Sequence, residues 1–367
     1  MFSRRSFLGM MGSGMVGARG SWAISAEAGE AFELPMLGDL HFDRLEHHDF
    51  DWMKQAHEGD IKQVQNYSRV TSEWSGKLLD VAKQRVRDAR APVPFVLQLG
   101  DLIEGLCGSP ERATRQASEA LQWVKQADFG APLAMCKGNH DVTGPGAAQV
   151  YDSVLVPFLN QQLGGVNGAA YSRSAGDTLI VFFDAYAKGS LAWFEQLMAE
   201  RPPRRLVFVI HPPVVPYNAR SDWHIFARQP QERARLLQLL GKHRAIVFCG
   251  HLHKYNCLVR RTETGRFVQL AISSVATDPE GAPKDERRGL EEYGPDLITL
   301  EPQHAPETVA ARRALLEAER PFIERFEYAD TWGHALLRIT RDTIQADVCR
   351  GLSKESWRSL NLSEWVA

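Results

Sequence analysis

The chain has 367 residues, 44% of them hydrophobic and 24% charged, with a formal net charge of -2. That length suits one large domain or two small ones, and that balance suits an ordinary globular protein rather than a disordered one. The near-neutral charge supplies no basic field for nucleic acid, no apolar run reaches the roughly 18 residues of a membrane span, and five scattered cysteines (Cys107, Cys136, Cys249, Cys257 and Cys349) form no disulfide framework and read as buried free thiols.

The chain opens with Ser3-Arg4-Arg5-Ser6-Phe7-Leu8, continues through a Gly-rich, mildly apolar stretch to about Val16, and reaches Ala26-Glu27-Ala28. An Arg pair, an apolar stretch and an A-x-A site in that order resemble a twin-arginine export signal. Residues 1–28 are therefore expected to be an address. The twin-arginine translocation machinery is the implied partner and the bacterial periplasm the implied destination. The mature domain would span 29–367.

Short apolar runs follow at 32–37, 95–99, 133–136, 179–183, 206–210, 245–249 and 267–272. Runs this short read as buried strands. Segments of helical periodicity lie between and beyond them at roughly 59–90, 111–127, 147–162, 191–200, 230–240 and 306–325. This alternation predicts an α/β fold. Pro35 is a blemish in the first strand, because proline donates no ladder hydrogen bond; it suggests an edge position or a late start. Two hairpins are predicted, 171–174 with 179–183 and 335–340 with 343–349, and they imply partly antiparallel sheet. The polar stretch 278–327 reads as an insertion on the rim of the core.

Five motifs directly follow predicted strands: Gly38-Asp39-Leu40-His41, Gly100-Asp101-Leu102-Ile103-Glu104, Gly138-Asn139-His140-Asp141, Ile210-His211-Pro212 and Gly250-His251-Leu252-His253. Ligands of α/β sheets bind at the carboxyl ends of strands, so these residues would converge on one edge. Asp-x-His and His-x-His use alternate residues, which point the same way on extended backbone. The four glycines fit turns where backbone comes close to a metal or phosphate. Imidazole with carboxylate suits zinc, iron or manganese rather than magnesium or calcium. Two such ions roughly 3.5–4 Å apart activate water and neutralise phosphoryl charge. Taken singly, Asp101 and His211 read as strand caps and Asn139 as a turn residue. Together, five of the chain's 12 histidines fall in these motifs.

The ordered set resembles the calcineurin-like metallophosphoesterase family, whose pattern is D-x-H, G-D-x-x-D/E, G-N-H-D/E, H and G-H-x-H. The resemblance implies a four-layer α/β/β/α sandwich of two mixed β-sheets flanked by helices. It implies two metal ions, of manganese, iron or zinc. Asp39, His41 and His253 would bind the first, Asp101 would bridge, and Asn139, His211 and His251 would complete the second. His140 would contact the phosphate and protonate the leaving oxygen, with Asp141 orienting it. Glu104 stands where the family often has Asp, and is expected beside the ligands rather than among them. Glu104 and His41 both depart from the purple acid phosphatases.

The expected activity is hydrolysis of small phosphate mono- or diesters by a metal-activated hydroxide. One alternative is a phosphodiesterase restricted to nucleotide or lipid head-group substrates. Another is a non-catalytic binding or scaffold protein that retains the fold. Asn218, Arg220 and His224, in loops after the fourth motif, are candidate substrate contacts, and Arg44 is a weaker one. His47 and His48 read as exposed loop histidines. Trp52, Trp74, Trp123 and Trp193 read as core.

Overall fold

Alternate residues of the strand Arg205–Val209 enter different cores. Val207 and Val209 pack in one cluster, and Leu206 and Phe208 pack in another. A strand with two apolar faces must be covered on both sides, and this sets the layers. The protein is represented by a computed structural model in which residues 31–278, 280–304 and 309–367 are described. The export signal expected over 1–28 lies outside the described residues.

Strands β1 (Phe32–Leu37), β2 (Val96–Gln98), β3 (Leu133–Met135), β4 (Tyr171–Ala175), β5 (Thr178–Phe182), β6 (Arg205–Val209), β7 (Ile246–Cys249), β8 (Tyr255–Arg261), β9 (Arg266–Ala271), β10 (Glu286–Arg288), β11 (Ile323–Ala329), β12 (Gly333–Ile339), β13 (Ile344–Arg350) and β14 (Ser356–Asn361) form two sheets. The first runs β14-β13-β12-β1-β2-β3 and the second β10-β11-β8-β9-β7-β6-β5-β4. Both are mixed: β1, β2 and β3 are parallel, as are β5, β6, β7 and β9. The sheets face each other across one core, where Phe95 meets Phe182 edge-on with ring centroids 6.1 Å apart.

Helices cover the outer faces. Gly76–Arg87, Pro110–Ala127 and Val156–Leu163 bury Leu78, Leu79, Ala117, Ala120, Phe158 and Leu159 in the first cluster. Ser190–Glu200, Pro230–Lys242 and Val309–Glu319 bury Leu191, Phe194, Leu236, Leu240 and Leu316 in the second. Local chemistry starts these helices where they start. Ser109 accepts from the Arg112 N–H at 3.3 Å and Pro110 takes the first helical position. The expected four-layer sandwich is the observed one.

Several details differ from expectation. Pro35 lies in the middle of an inner strand that starts at Phe32. The Glu33 N–H donates to the Pro92 carbonyl, so the donor that Pro35 lacks would face the same side. There the parallel ladder begins only at Met36 with Leu97, so no bond is lost. The helix expected over 306–325 ends at Glu319, and 323–325 are already strand β11. That strand binds β8 and β10, so the end of the 278–327 segment belongs to the second sheet. The 59–90 helix runs from Ile61 to Arg87 through a π-helical turn at Thr71–Ser75. The five cysteines are free and buried. No helix among the described residues is long and apolar enough to cross a membrane.

Candidate metal centre

All five motif loops leave carboxyl ends of parallel strands. Those after β1, β2 and β3 come from the first sheet and those after β6 and β7 from the second, so the site straddles the seam between sheets. The loops are tied to one another. The N–H groups of Leu40 and His41 donate to the Asp101 carbonyl at 3.0 and 2.9 Å. The Gln98 side chain donates to the carbonyls of Gly38 and Gly100 at 3.1 and 2.6 Å.

Besides a cluster of His41, Glu104 and His140, two ligand groups result. Asp39, His41, Asp101 and His253 form one, and Asp101, His211 and His251 form the other. Asp101 is common to both. Asn139 joins the second through its Oδ1, 3.1 Å from His211 Nε2. In the first group His41 Nε2 and His253 Nε2 face each other at 3.0 Å, with Asp39 Oδ2 3.0 Å from the latter. The expected ligands are therefore brought together as paired.

Hydrogen-bond chemistry tests whether cations fit. His211 Nδ1 lies 2.8 Å from the Leu99 carbonyl, which only accepts, so Nδ1 carries the proton. In the neutral ring Nε2 is then a lone pair, and it faces Asn139 Oδ1 at 3.1 Å and Asp101 Oδ2 at 3.0 Å. In that neutral form three acceptors converge with no hydrogen between them, so the site calls for either a cation or a proton on His211. Asp39 Oδ1 and Asp101 Oδ2 are buried and accept no hydrogen bond. Buried lone pairs without partners are costly, and a cation satisfies all of them. The nitrogen and oxygen donors suit zinc, iron or manganese.

The electrostatics show the same need. Burial pushes Asp39 up to about 6, with His211 opposing and Asp101 adding to the rise. Burial would lower His211, yet the Asp101 carboxylate raises it to about 9. Burial would raise Asp101, but the His211 and His140 rings hold it well below the carboxylate range. Burial, then cationic neighbours, keep His251 and His253 well below the imidazole range. Those two rings are thus held neutral, as metal ligands must be.

The backbone is bent to make this arrangement. Nine non-glycine residues among those described have positive φ, and four are ligands: His41 (44°), Asp101 (54°), His251 (72°) and His253 (54°). Such conformations cost energy and concentrate at functional sites. Two motif glycines serve by having no side chain. A Cβ at Gly138 would collide with Asp101 Oδ1, and one at Gly250 with Asp39 Oδ1.

Around the ligands lies a shell that the motifs only partly announce. Glu104 is fully buried, with Oε2 2.6 Å from His41 Nδ1, and its Oε1 accepts from Gln63 at 2.9 Å. Burial pushes this carboxyl up to about 8, with His140 and the Gln63 hydrogen bond opposing the rise. Carboxylate–histidine pairs of this kind fix ring orientation at metal sites. Tyr67 stacks on His41 at 4.2 Å and 12°, and its hydroxyl lies 3.2 Å from His253 Nδ1. Gln63 and Tyr67 sit four residues apart on the helix Ile61–Val70, hence on one face. Nothing in their spacing marks them in the sequence.

Other expected residues land elsewhere. Asp141 does not touch the His140 ring. Its Oδ1 accepts from Leu102 and Ile103 at 2.9 and 3.2 Å, and its Oδ2 from Asp101 and Gly138 at 3.0 and 2.8 Å. It cages the loop that presents Asp101. His140 is instead oriented by the Glu104 carbonyl, 2.8 Å from Nδ1. Asn218 and Arg220 are committed to Glu301, each at 2.7 Å. His224 is buried against the Ser221 carbonyl at 2.7 Å, and burial, then Arg233, push it down to about 4. His47 and His48 are buried, not exposed, on Glu119 (3.1 Å) and Asp43 (2.7 Å) respectively. Arg44 pairs with Glu119 at 3.4 Å.

Known proteins share this arrangement of chain. Residues 36–255 match the calcineurin-like phosphoesterase family, a span that begins in β1 and ends at β8. No curated protein sequence matches. Among solved structures, PhoD is 11% identical with a TM-score of 0.53, covering 92% of this chain and 70% of that one. A dimetal phosphatase from Danio rerio is 15% identical with a TM-score of 0.53, covering 91% and 99%. GAP50, the anchor in the inner membrane complex of Plasmodium, is 12% identical with a TM-score of 0.50, covering 91% and 89%. At these identities the structures attest the fold. The family match rests on the span that carries every ligand, and those ligands gather into two groups sharing one carboxylate, so the chain belongs to the calcineurin-like phosphoesterases and is a metal-dependent phosphoric ester hydrolase.

Proposed function

We propose that the protein hydrolyses small phosphate mono- or diesters, with His140 as general acid. The observation that carries this reading is Asp101 placed between two ligand groups with His140 beside it: the His140 N–H donates to Asp101 Oδ1 at 2.8 Å. When bound, a pair of divalent ions neutralises phosphoryl charge and lowers the pKa of a coordinated water. The chain does the rest. His140 Nδ1 donates to the Glu104 carbonyl, which leaves Nε2 to carry a proton toward a departing oxygen. Its side chain is 17% exposed, whereas those of His41 and His211 are 0% exposed, so substrate reaches His140 and not those two rings.

Within that reading, diesters are favoured by the charge of the rim. Arg220 pairs with Glu301 at 2.7 Å, Lys254 with Asp330 at 2.8 Å, and Lys137 with Asp184 at 2.5 Å. These pairs leave no net positive charge for the second negative charge of a monoester. Metal-depleted protein reconstituted with manganese, iron or zinc tests the assignment against p-nitrophenyl phosphate, bis-p-nitrophenyl phosphate and cyclic nucleotides. Turnover is expected only after reconstitution, and higher on the diester. Two bound ions with no turnover of any ester would instead make the protein a scaffold.

Export by the twin-arginine route is part of the same proposal. It is supported by Arg4-Arg5, the following apolar stretch and Ala26-Glu27-Ala28. Cell fractionation is expected to recover a processed chain beginning near Gly29 outside the cytoplasm. Unprocessed chain retained in the cytoplasm would refute it.

A further inference from the structure

Few aromatic rings among the described residues are exposed. Among the described residues the exposed large apolar side chains include three aromatics, Tyr186 (39%), Trp223 (40%) and Phe322 (40%). Two of these border the metal centre. Trp223 lies 6.0 Å from the His251 ring, and Tyr186 lies 6.5 Å from the His211 ring. His211 and His251 are themselves 5.1 Å apart. The four rings thus form a continuous row, Tyr186-His211-His251-Trp223, with an exposed ring at each end of the second ligand group.

Backbone bonds fix the chain at both outer rings, and neighbouring side chains pack the Trp223 ring. The Tyr186 backbone N–H donates to Asp184 Oδ1 at 2.9 Å in the loop after β5. The Trp223 backbone N–H donates to the Arg220 carbonyl at 2.9 Å, the Arg220 guanidinium lies 5.5 Å from the ring centroid, and His304 packs beside the ring at 5.6 Å. Arg220 is fixed in turn by Glu301. Apolar surface left in water is unfavourable, and rings held rigid before a ligand arrives lose little entropy on binding it. Flat rings of this kind pair best with another flat ring, offset or edge-on.

We infer that one of the two exposed rings flanking the second ligand group, Trp223 or Tyr186, seats a planar aromatic ring in the organic part of the ester, so that the preferred substrates are nucleoside or aryl phosphate esters rather than aliphatic ones. This rests on the phosphoesterase reading, because the phosphate is what brings the organic group within reach of the two rings. The rim supplies no free cation among Arg220, Lys254 and Lys137. Discrimination among organic groups therefore falls to the rings.

Calorimetry on manganese-loaded protein tests the inference without relying on turnover. Phenylphosphonate is compared with cyclohexylphosphonate, which matches it in bulk but is not flat. The methylenephosphonate analogue of AMP, in which a CH2 replaces the ester oxygen, is compared with that of ribose 5-phosphate, which has no base. The aromatic member of at least one pair is expected to bind about tenfold more tightly. The first pair reads a simple aryl group and the second a nucleobase. Trp223→Ala or Tyr186→Ala, whichever removes the ring that seats the ligand, should bring that ratio toward one, and Trp223→Phe should preserve it. Ratios near one in the wild type, or a ratio that survives both alanine variants, would overturn the subsite. If the ratio holds but no ester is turned over by the two-metal protein, the hydrolase reading fails and the aromatic site stands.

Discussion

Asp101→Asn is expected to abolish stable binding of both ions and to cut turnover by about a thousandfold or more, since metal charge contributes several kcal/mol to transition-state stabilisation. The size of the effect follows from position. Asp101 is the only residue common to the two main ligand groups. Its Oδ2 accepts no hydrogen bond and lies 3.0 Å from His211 Nε2 and 3.7 Å from His41 Nε2. Asparagine keeps the shape, tolerates the positive φ of 54° better than most residues, and removes one of the two carboxylate charges. Two divalent ions would then face Asp39 alone.

The same substitution should leave the metal-free fold intact. Asp101 adds to the rise of buried Asp39, while His211 and His140 hold Asp101 itself low. Deleting one charge relieves the repulsion on Asp39. Metal content by mass spectrometry and Tm without metal separate the two effects. Two ions per chain with normal turnover would remove Asp101 from the shared position. A collapsed Tm would reassign it to folding.

The sequence made the ligands legible because each sits immediately after a short apolar strand. The observed β1 begins and ends where the apolar run does, and β2, β3, β6 and β7 differ from prediction by one residue at an end or at both. The strands that were missed carry charge. In β11, Glu324, Arg325 and Glu327 give the segment the look of a charged helix. Glu327 is buried because Tyr255 (3.1 Å) and Arg325 (2.8 Å) satisfy it. Neither the Tyr255 partner on β8 nor the register that brings it near is visible locally. Likewise β8 follows the last motif directly and passes for its loop.

The same distinction divides the site. Ligand identity was readable from residue type and order, but what supports the ligands was not. Gln63 and Tyr67 look like ordinary positions on an amphipathic helix. Only the tertiary fold lays that helix against His41 and His253. Asp141 follows His140 in sequence, and adjacency suggested a partnership. The 3-10 turn His140–Val142 instead turns the carboxylate toward four backbone N–H groups. His47 and His48 read as exposed because their loop is polar, but both are buried, paired with Glu119 and Asp43.

His140→Ala should expose the chemistry of the leaving group. An alkoxide is a poor leaving group and needs a proton as the bond breaks, whereas p-nitrophenolate departs without one. The variant is therefore expected to lose roughly 10²–10⁴-fold on an alkyl phosphate ester, and only about tenfold on p-nitrophenyl phosphate. The geometry suits the ring to this role. Its Nδ1 is taken by the Glu104 carbonyl at 2.8 Å, and it meets His41 edge-on at 4.8 Å. It belongs to neither of the two groups that share Asp101. Metal content should accordingly survive the substitution, unlike that of Asp101→Asn. Because the His140 backbone N–H, not the ring, holds Asp101 Oδ1, alanine preserves that bond. Turnover of both esters on two-metal protein decides the point. Equal losses on the two would mean that His140 binds the phosphate without donating a proton. Loss of one ion would mean that the ring steadies the first ligand group through His41.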